Sequence, residues 1–158
     1  MSAGSSAAVI TDDRVLVITR VFDAPRLLVF KAWTEPERLA QWLGPRGFKG
    51  EVIKLDSRPG GSYRFHMRSA DGGDHWLQGV IHEVVEPERL VQSYAWADAD
   101  GNPTRPETMV TVTFEDLGAN RTRMTLRQEV FESVTARDLH NGGWSSSFDR
   151  LAEYLATA

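Results

Sequence analysis

The sequence predicts an α+β domain in which a curved, seven-stranded antiparallel sheet wraps a long C-terminal helix, with two short helices after the first strand. Three observations carry that expectation. Residues 135–155 bear apolar side chains at helical spacing and close the chain. Upstream, six short segments of strand character alternate with turns built on Gly, Pro, Asp and Asn. A meander of that length has an apolar face to bury, and no other segment is long enough to cover it.

Residues 1–12, opening on MSAGSSAA, have neither a basic segment nor an apolar core of their own and read as a disordered leader before a single domain over 13–158. Residues 14–22 (RVLVITRVF) are rich in β-branched side chains and predict a strand. Asp23 can cap the helix that follows, and Pro25 suits its first turn. Leu28, Ala32 and Trp33 give that helix an apolar side. The same grammar restarts at Thr34-Glu35-Pro36-Glu37, with Leu39, Trp42 and Leu43 behind it and a stop at Gly44-Pro45.

Strands are expected at 50–57, 62–68, 75–85, 89–97, 108–115 and 120–130. Alternation assigns their faces. Tyr63, Phe65 and Met67 share one side, as do Leu90, Gln92, Tyr94 and Trp96. Val110, Val112 and Phe114 fall together, and so do Met124, Leu126 and Gln128.

In the closing helix Thr135 and Asp138 have capping-box spacing. Trp144, Phe148, Leu151 and Leu155 lie on one face, which continues backwards through His140, Asn141 and Arg137. The polar half of that face fits water, a cavity or a ligand beneath it, and equally a solvated overhang beyond the sheet. Gly142 and Gly143 each cost about 1 kcal/mol relative to alanine within a helix. Close approach of a strand or ligand would explain them; so would a break between a turn at 135–141 and a helix beginning at Gly143.

The composition is that of a soluble globular protein: 41% hydrophobic and 25% charged. No apolar run approaches a membrane span, so no membrane association is expected. A net charge of −4 gives no electrostatic case for nucleic acid. The absence of cysteine fits a reducing cytoplasm and rules out disulfide and thiolate chemistry.

The segments Phe22-Asp23-Ala24-Pro25, Trp33-Thr34-Glu35-Pro36-Glu37-Arg38-Leu39, Gln41-Trp42-Leu43-Gly44-Pro45, Arg58-Pro59-Gly60-Gly61-Ser62-Tyr63, Pro87-Glu88-Arg89-Leu90-Val91 and Gly143-Trp144-Ser145 occur in one order over nearly the whole chain. In this the chain resembles the domain family named after the activator of the heat-shock protein 90 ATPase. That family belongs to the START-like (SRPBCC) helix-grip superfamily, with the birch-pollen allergens, polyketide cyclases and lipid-transfer domains. The resemblance implies a helix-grip fold, a cavity between sheet and helix and a role in the stress response. The chain is similar to the C-terminal module of the eukaryotic activator, without its separate N-terminal domain.

Catalytic patterns are sparse. There are four histidines; on a regular strand His75 and His82 face opposite sides, and no HExxH pair exists, so neither a metal nor a cofactor is expected. Ser145, Ser146 and Ser147 lack a nucleophile elbow, and Gly44-Pro45-Arg46-Gly47 follows a helix as a turn and not as a dinucleotide loop. Glu83 and Glu129 lie in strands among apolar neighbours, either as buried bases or on an exposed face.

The residues expected to line a cavity are Trp33, Trp42, Tyr63, Phe65, Met67 and Tyr94, together with Trp96, Gln128, His140, Asn141, Trp144 and Phe148. The leading reading is a non-catalytic module binding a small apolar, aromatic or lipid-like ligand, oriented by Tyr94, Gln128 and His140. The alternatives are a co-chaperone-like partner of heat-shock protein 90, and a cyclase or hydrolase in which His140 or a glutamate moves protons. Monomer and homodimer both fit, since an exposed edge strand invites pairing.

Overall fold

A computed structural model describes residues 14–129, 131 and 133–158, together with the backbone of residues 7–12. The elements are β1 (Ala7–Asp12), β2 (Val15–Phe22), α1 (Arg26–Thr34), α2 (Pro36–Leu39), β3 (Phe48–Leu55), β4 (Ser62–Ser69), β5 (Asp74–Val85), β6 (Arg89–Ala97), β7 (Thr108–Gly118), β8 (Arg121–Glu129) and α3 (Val134–Thr157). The strands form one curved antiparallel sheet in the order β1-β2-β8-β7-β6-β5-β4-β3. β3 to β8 are therefore a meander, and β2 returns from the start of the chain to pair with its last strand.

The seven expected strands and the helices are all present, and β1 is an additional edge strand. Residues 7–12 thus depart from the leader expected over 1–12: Ala7, Ala8 and Val9 pair with Thr19, Ile18 and Val17. The physical reason is the unpaired edge that β2 would otherwise present, whose backbone groups accept a partner with little regard for its side chains. Residues 1–6 and Val130 lie outside the described residues.

Alternation places the core as the sequence indicates. Leu16 and Ile18 of β2, Val110 and Val112 of β7, and Met124 and Leu126 of β8 are at most 1% exposed. α3 lays Phe148, Leu151 and Leu155 against this face. At about 1.5 Å per residue the 24-residue helix spans roughly 36 Å, enough to cross the sheet. Arg20 of β2 ties it down from beneath, 2.7 Å from the Asp149 carboxylate.

Two boundaries differ from the sequence reading because the first polar residue in reach is not always the cap. Ser133 caps α3, its hydroxyl accepting the Ala136 N–H at 3.0 Å, in place of Thr135. Pro25 occupies the cap position of α1 without any side-chain bond, so Asp23 does not cap it. α3 runs unbroken through Gly142 and Gly143. The β7–β8 hairpin turns on Ala119 and Asn120, both at positive φ (53° and 57°), a combination that matches the twist of the two strands.

Candidate functional site

The sheet and α3 part at the N-terminal half of the helix, leaving a pocket of about 860 Å³. Its walls come from three places. β4, β5 and β6 contribute Phe65, Met67, Leu77, Gln92, Tyr94 and Trp96; α1, the segment after α2 and the first residue of β3 add Trp33, Trp42, Leu43 and Phe48. The helix supplies Ala136, Leu139, His140, Gly143, Trp144 and Ser147. Of the polar half of the helical stripe His140 stands over the pocket, while the apolar half lies over the core.

The aromatic rings form a continuous belt. Trp33 meets Trp42 edge-on at 4.9 Å and Trp144 at 5.8 Å between centroids. Trp144 meets Tyr94 at 5.7 Å, and Tyr94 meets Trp96 edge-on at 5.7 Å. Such pairs add about 0.5–1.5 kcal/mol each beyond burial and hold the rings in fixed relative poses.

Each indole N–H in this belt is satisfied within the protein. Trp33 donates to Met124 Sδ at 3.3 Å, and Trp42 to the Ala32 carbonyl at 3.0 Å. Trp96 donates to His140 Nε2 at 2.9 Å, and Trp144 to Gln128 Oε1 at 2.8 Å. Gln128 is fully buried and passes the chain on, its Nε2 donating to Thr108 Oγ1 at 2.8 Å, while the Thr108 hydroxyl donates to the Tyr94 carbonyl at 3.2 Å.

His140 is fixed from both sides. An indole N–H only donates, so Nε2 accepts; Nδ1, 2.7 Å from the Ala136 carbonyl oxygen, must then carry the proton. Both ring nitrogens of this tautomer are occupied.

Of the twelve residues expected at a cavity, Trp33, Trp42, Phe65, Met67, Tyr94 and Trp96 lie on the pocket wall, with His140 and Trp144 facing them from α3. Four do not. Tyr63 is behind the wall, its hydroxyl donating to the Ser93 carbonyl at 2.6 Å. Gln128 and Phe148 lie beneath it, both sealed from solvent. The Asn141 Oδ1 accepts from the Ser145 hydroxyl along the helix at 3.5 Å. Depth along the inward face separates the residues that meet the space from those buried behind it.

The carboxylates weighed as bases stand elsewhere. Glu83 is ion-paired with Arg89, and Glu129 with Arg127 at 2.9 Å, each about 40% exposed (40% and 39%). Among the described residues no three His, Cys, Asp or Glu side chains converge on a point that could hold a metal.

Residues 23–156 match the family described as Activator of Hsp90 ATPase homolog 1-like protein. The chain belongs to this family. Solved structures agree across nearly the whole length. A protein from Chromobacterium violaceum is 28% identical with a TM-score of 0.82, covering 91% of this chain and 98% of that one. A protein from Mycobacterium smegmatis is 26% identical with a TM-score of 0.82, covering 96% and 97%. A structure from Silicibacter pomeroyi, described as an AHSA1 protein, is 25% identical with a TM-score of 0.81, covering 90% and 98%. The comparison with curated proteins gives no match. Among the described residues no helix is long and apolar enough to cross a membrane.

In this family member the wall also holds residues outside the sequence expectation, Gln92 and the stretch from Leu43 to Phe48 among them. Gln92 shares a face with Tyr94 and Trp96, a signal visible in the alternation of β6. Leu43, Gly44, Pro45 and Phe48 form an irregular wall with no periodicity to reveal it. Arg150 of α3 holds that wall in place, donating to the Leu43 and Gly44 carbonyls at 2.9 and 2.7 Å. Burial lowers its guanidinium pKa, yet the carbonyls it meets favour the charged form.

Proposed function

We propose that this chain is a binding module that holds one small apolar or aromatic molecule between the sheet and α3. The observation that supports this reading most is the combination of about 860 Å³ of space with a wall of indole rings whose N–H groups all point into the protein. An occupant meets ring faces and edges, which reward shape and apolar area. The volume falls within the roughly 300–1,000 Å³ range of small-molecule sites. Membership of a START-like family supports ligand binding at the level of the fold. The engaged nitrogens of His140 and the outward ion pairs of Glu83 and Glu129 favour carriage over proton transfer.

Native mass spectrometry of freshly purified protein tests the reading, followed by titration with naphthalene. The expected result is a bound species on the order of a few hundred daltons, or naphthalene uptake by the empty protein, lost in Gly143→Phe, whose ring would project into the pocket. A bare mass combined with no naphthalene binding would reject it.

A further inference from the structure

The pocket's polar equipment is small, neutral and localised. Gln92 and Tyr94 are two residues apart on one face of β6, about 7 Å along the strand, and each is 7% exposed. Behind them the Tyr63 phenol donates to the Ser93 carbonyl, with the Gln92 side chain beside it. The Gln92 amide and the Tyr94 hydroxyl are the polar groups of this buried stretch of wall, while His75, its ring 5.4 Å from Phe48, is exposed. Among the described residues no protein group hydrogen-bonds that hydroxyl, and no buried polar side-chain atom is sealed off without a partner. The hydroxyl is therefore not sealed off, and Tyr94 lines the pocket.

Formal charge is confined to the rim. Of the pocket's charged residues, Asp74 and Arg105 are exposed. Asp98 spends its carboxylate on the N–H groups of Asp100 and Asn102 in its own loop, both at 2.9 Å. Among the described residues the guanidinium on the pocket wall is that of Arg105, exposed at the rim, so a carboxylate entering the aromatic belt would lose its hydration with little there to offset the loss. An amide, ketone or phenol would lose less and could regain it from a hydroxyl and an amide carbonyl.

We propose that the pocket selects uncharged ligands bearing one oxygen-containing polar group, which docks between Gln92 and Tyr94, and that it discriminates against carboxylates of the same shape. This rests on the pocket being a ligand site.

Calorimetric titration of the full chain near neutral pH with naphthalene, naphthamide and the equally substituted naphthoate separates the two claims. Naphthamide is expected to bind about 100-fold more tightly than naphthoate, equivalent to about 2.8 kcal/mol at about 1.4 kcal/mol per tenfold. Tyr94→Phe is expected to weaken naphthamide about 5–10-fold and naphthalene by a clearly smaller factor, as loss of one hydrogen bond requires. Naphthoate binding within about threefold of naphthamide, or naphthamide binding unmoved by Tyr94→Phe, would overturn the selectivity while the pocket reading stood. If none of the three compounds bound, both claims would fall.

Discussion

Gly142 and Gly143 sit at the middle of a continuous helix, yet a Cβ added to either would meet no heavy atom within 4 Å. Alanine at each position should therefore bring the helix-propensity gain of about 1 kcal/mol without a packing penalty. Adjacent helical side chains do not face each other, so the two gains should add to about 2 kcal/mol. For a domain of this size, about 2–4 °C per kcal/mol converts that to a rise of roughly 4–8 °C in Tm. Urea unfolding of Gly142→Ala, Gly143→Ala and the double variant, with unchanged m-values, is the assay. Gly142 is exposed and Gly143 borders the pocket, so only the second substitution should also alter naphthalene affinity. A loss of stability at Gly143 would refute the reasoning, since it would mean that the space beside it is filled.

Gly79 should behave in the opposite way: a Cβ there would stand 2.1 Å from the Ser93 carbonyl oxygen and 2.6 Å from the Tyr63 ring, so Gly79→Ala should lower stability by about 2–4 kcal/mol on urea unfolding. Gln128→Leu keeps volume but strands the Trp144 N–H and takes from the Thr108 hydroxyl oxygen its donor, and a loss of about 2–4 kcal/mol with a shifted tryptophan emission is expected. Burial raises the phenol pKa of both Tyr63 and Tyr94 above the usual 10.0. The unfolded chain then loses these protons first, so their contribution is complete below pH 10 and falls as the pH rises further. Ultraviolet titration should find both phenols silent until alkaline unfolding releases them; smooth ionisation of all three tyrosines in the native state near pH 10 would contradict their burial.

The sequence by itself determined the element order and the inward face of nearly every strand, because a period of two assigns each side chain to a side regardless of what lies opposite. It equally marked the change along α3 from polar to apolar, with Leu151 and Leu155 on the core and His140 over the pocket. Family membership was legible for the same local reason: Trp33-Thr34-Glu35-Pro36 and Arg58-Pro59-Gly60-Gly61 are turn and cap grammar. Which inward residues touch empty space depends on how the sheet and α3 pack. Gln128 and Gln92 read alike in their strands, yet one is sealed and spends both amide groups on Thr108 and Trp144, while the other reaches the pocket wall. The difference lies in the distance between sheet and helix at each level, a quantity set by side chains far apart in sequence. His140 makes the same point. Its tautomer, and so its chemistry, is fixed by Trp96 across 44 residues of chain and by a carbonyl one helical turn away.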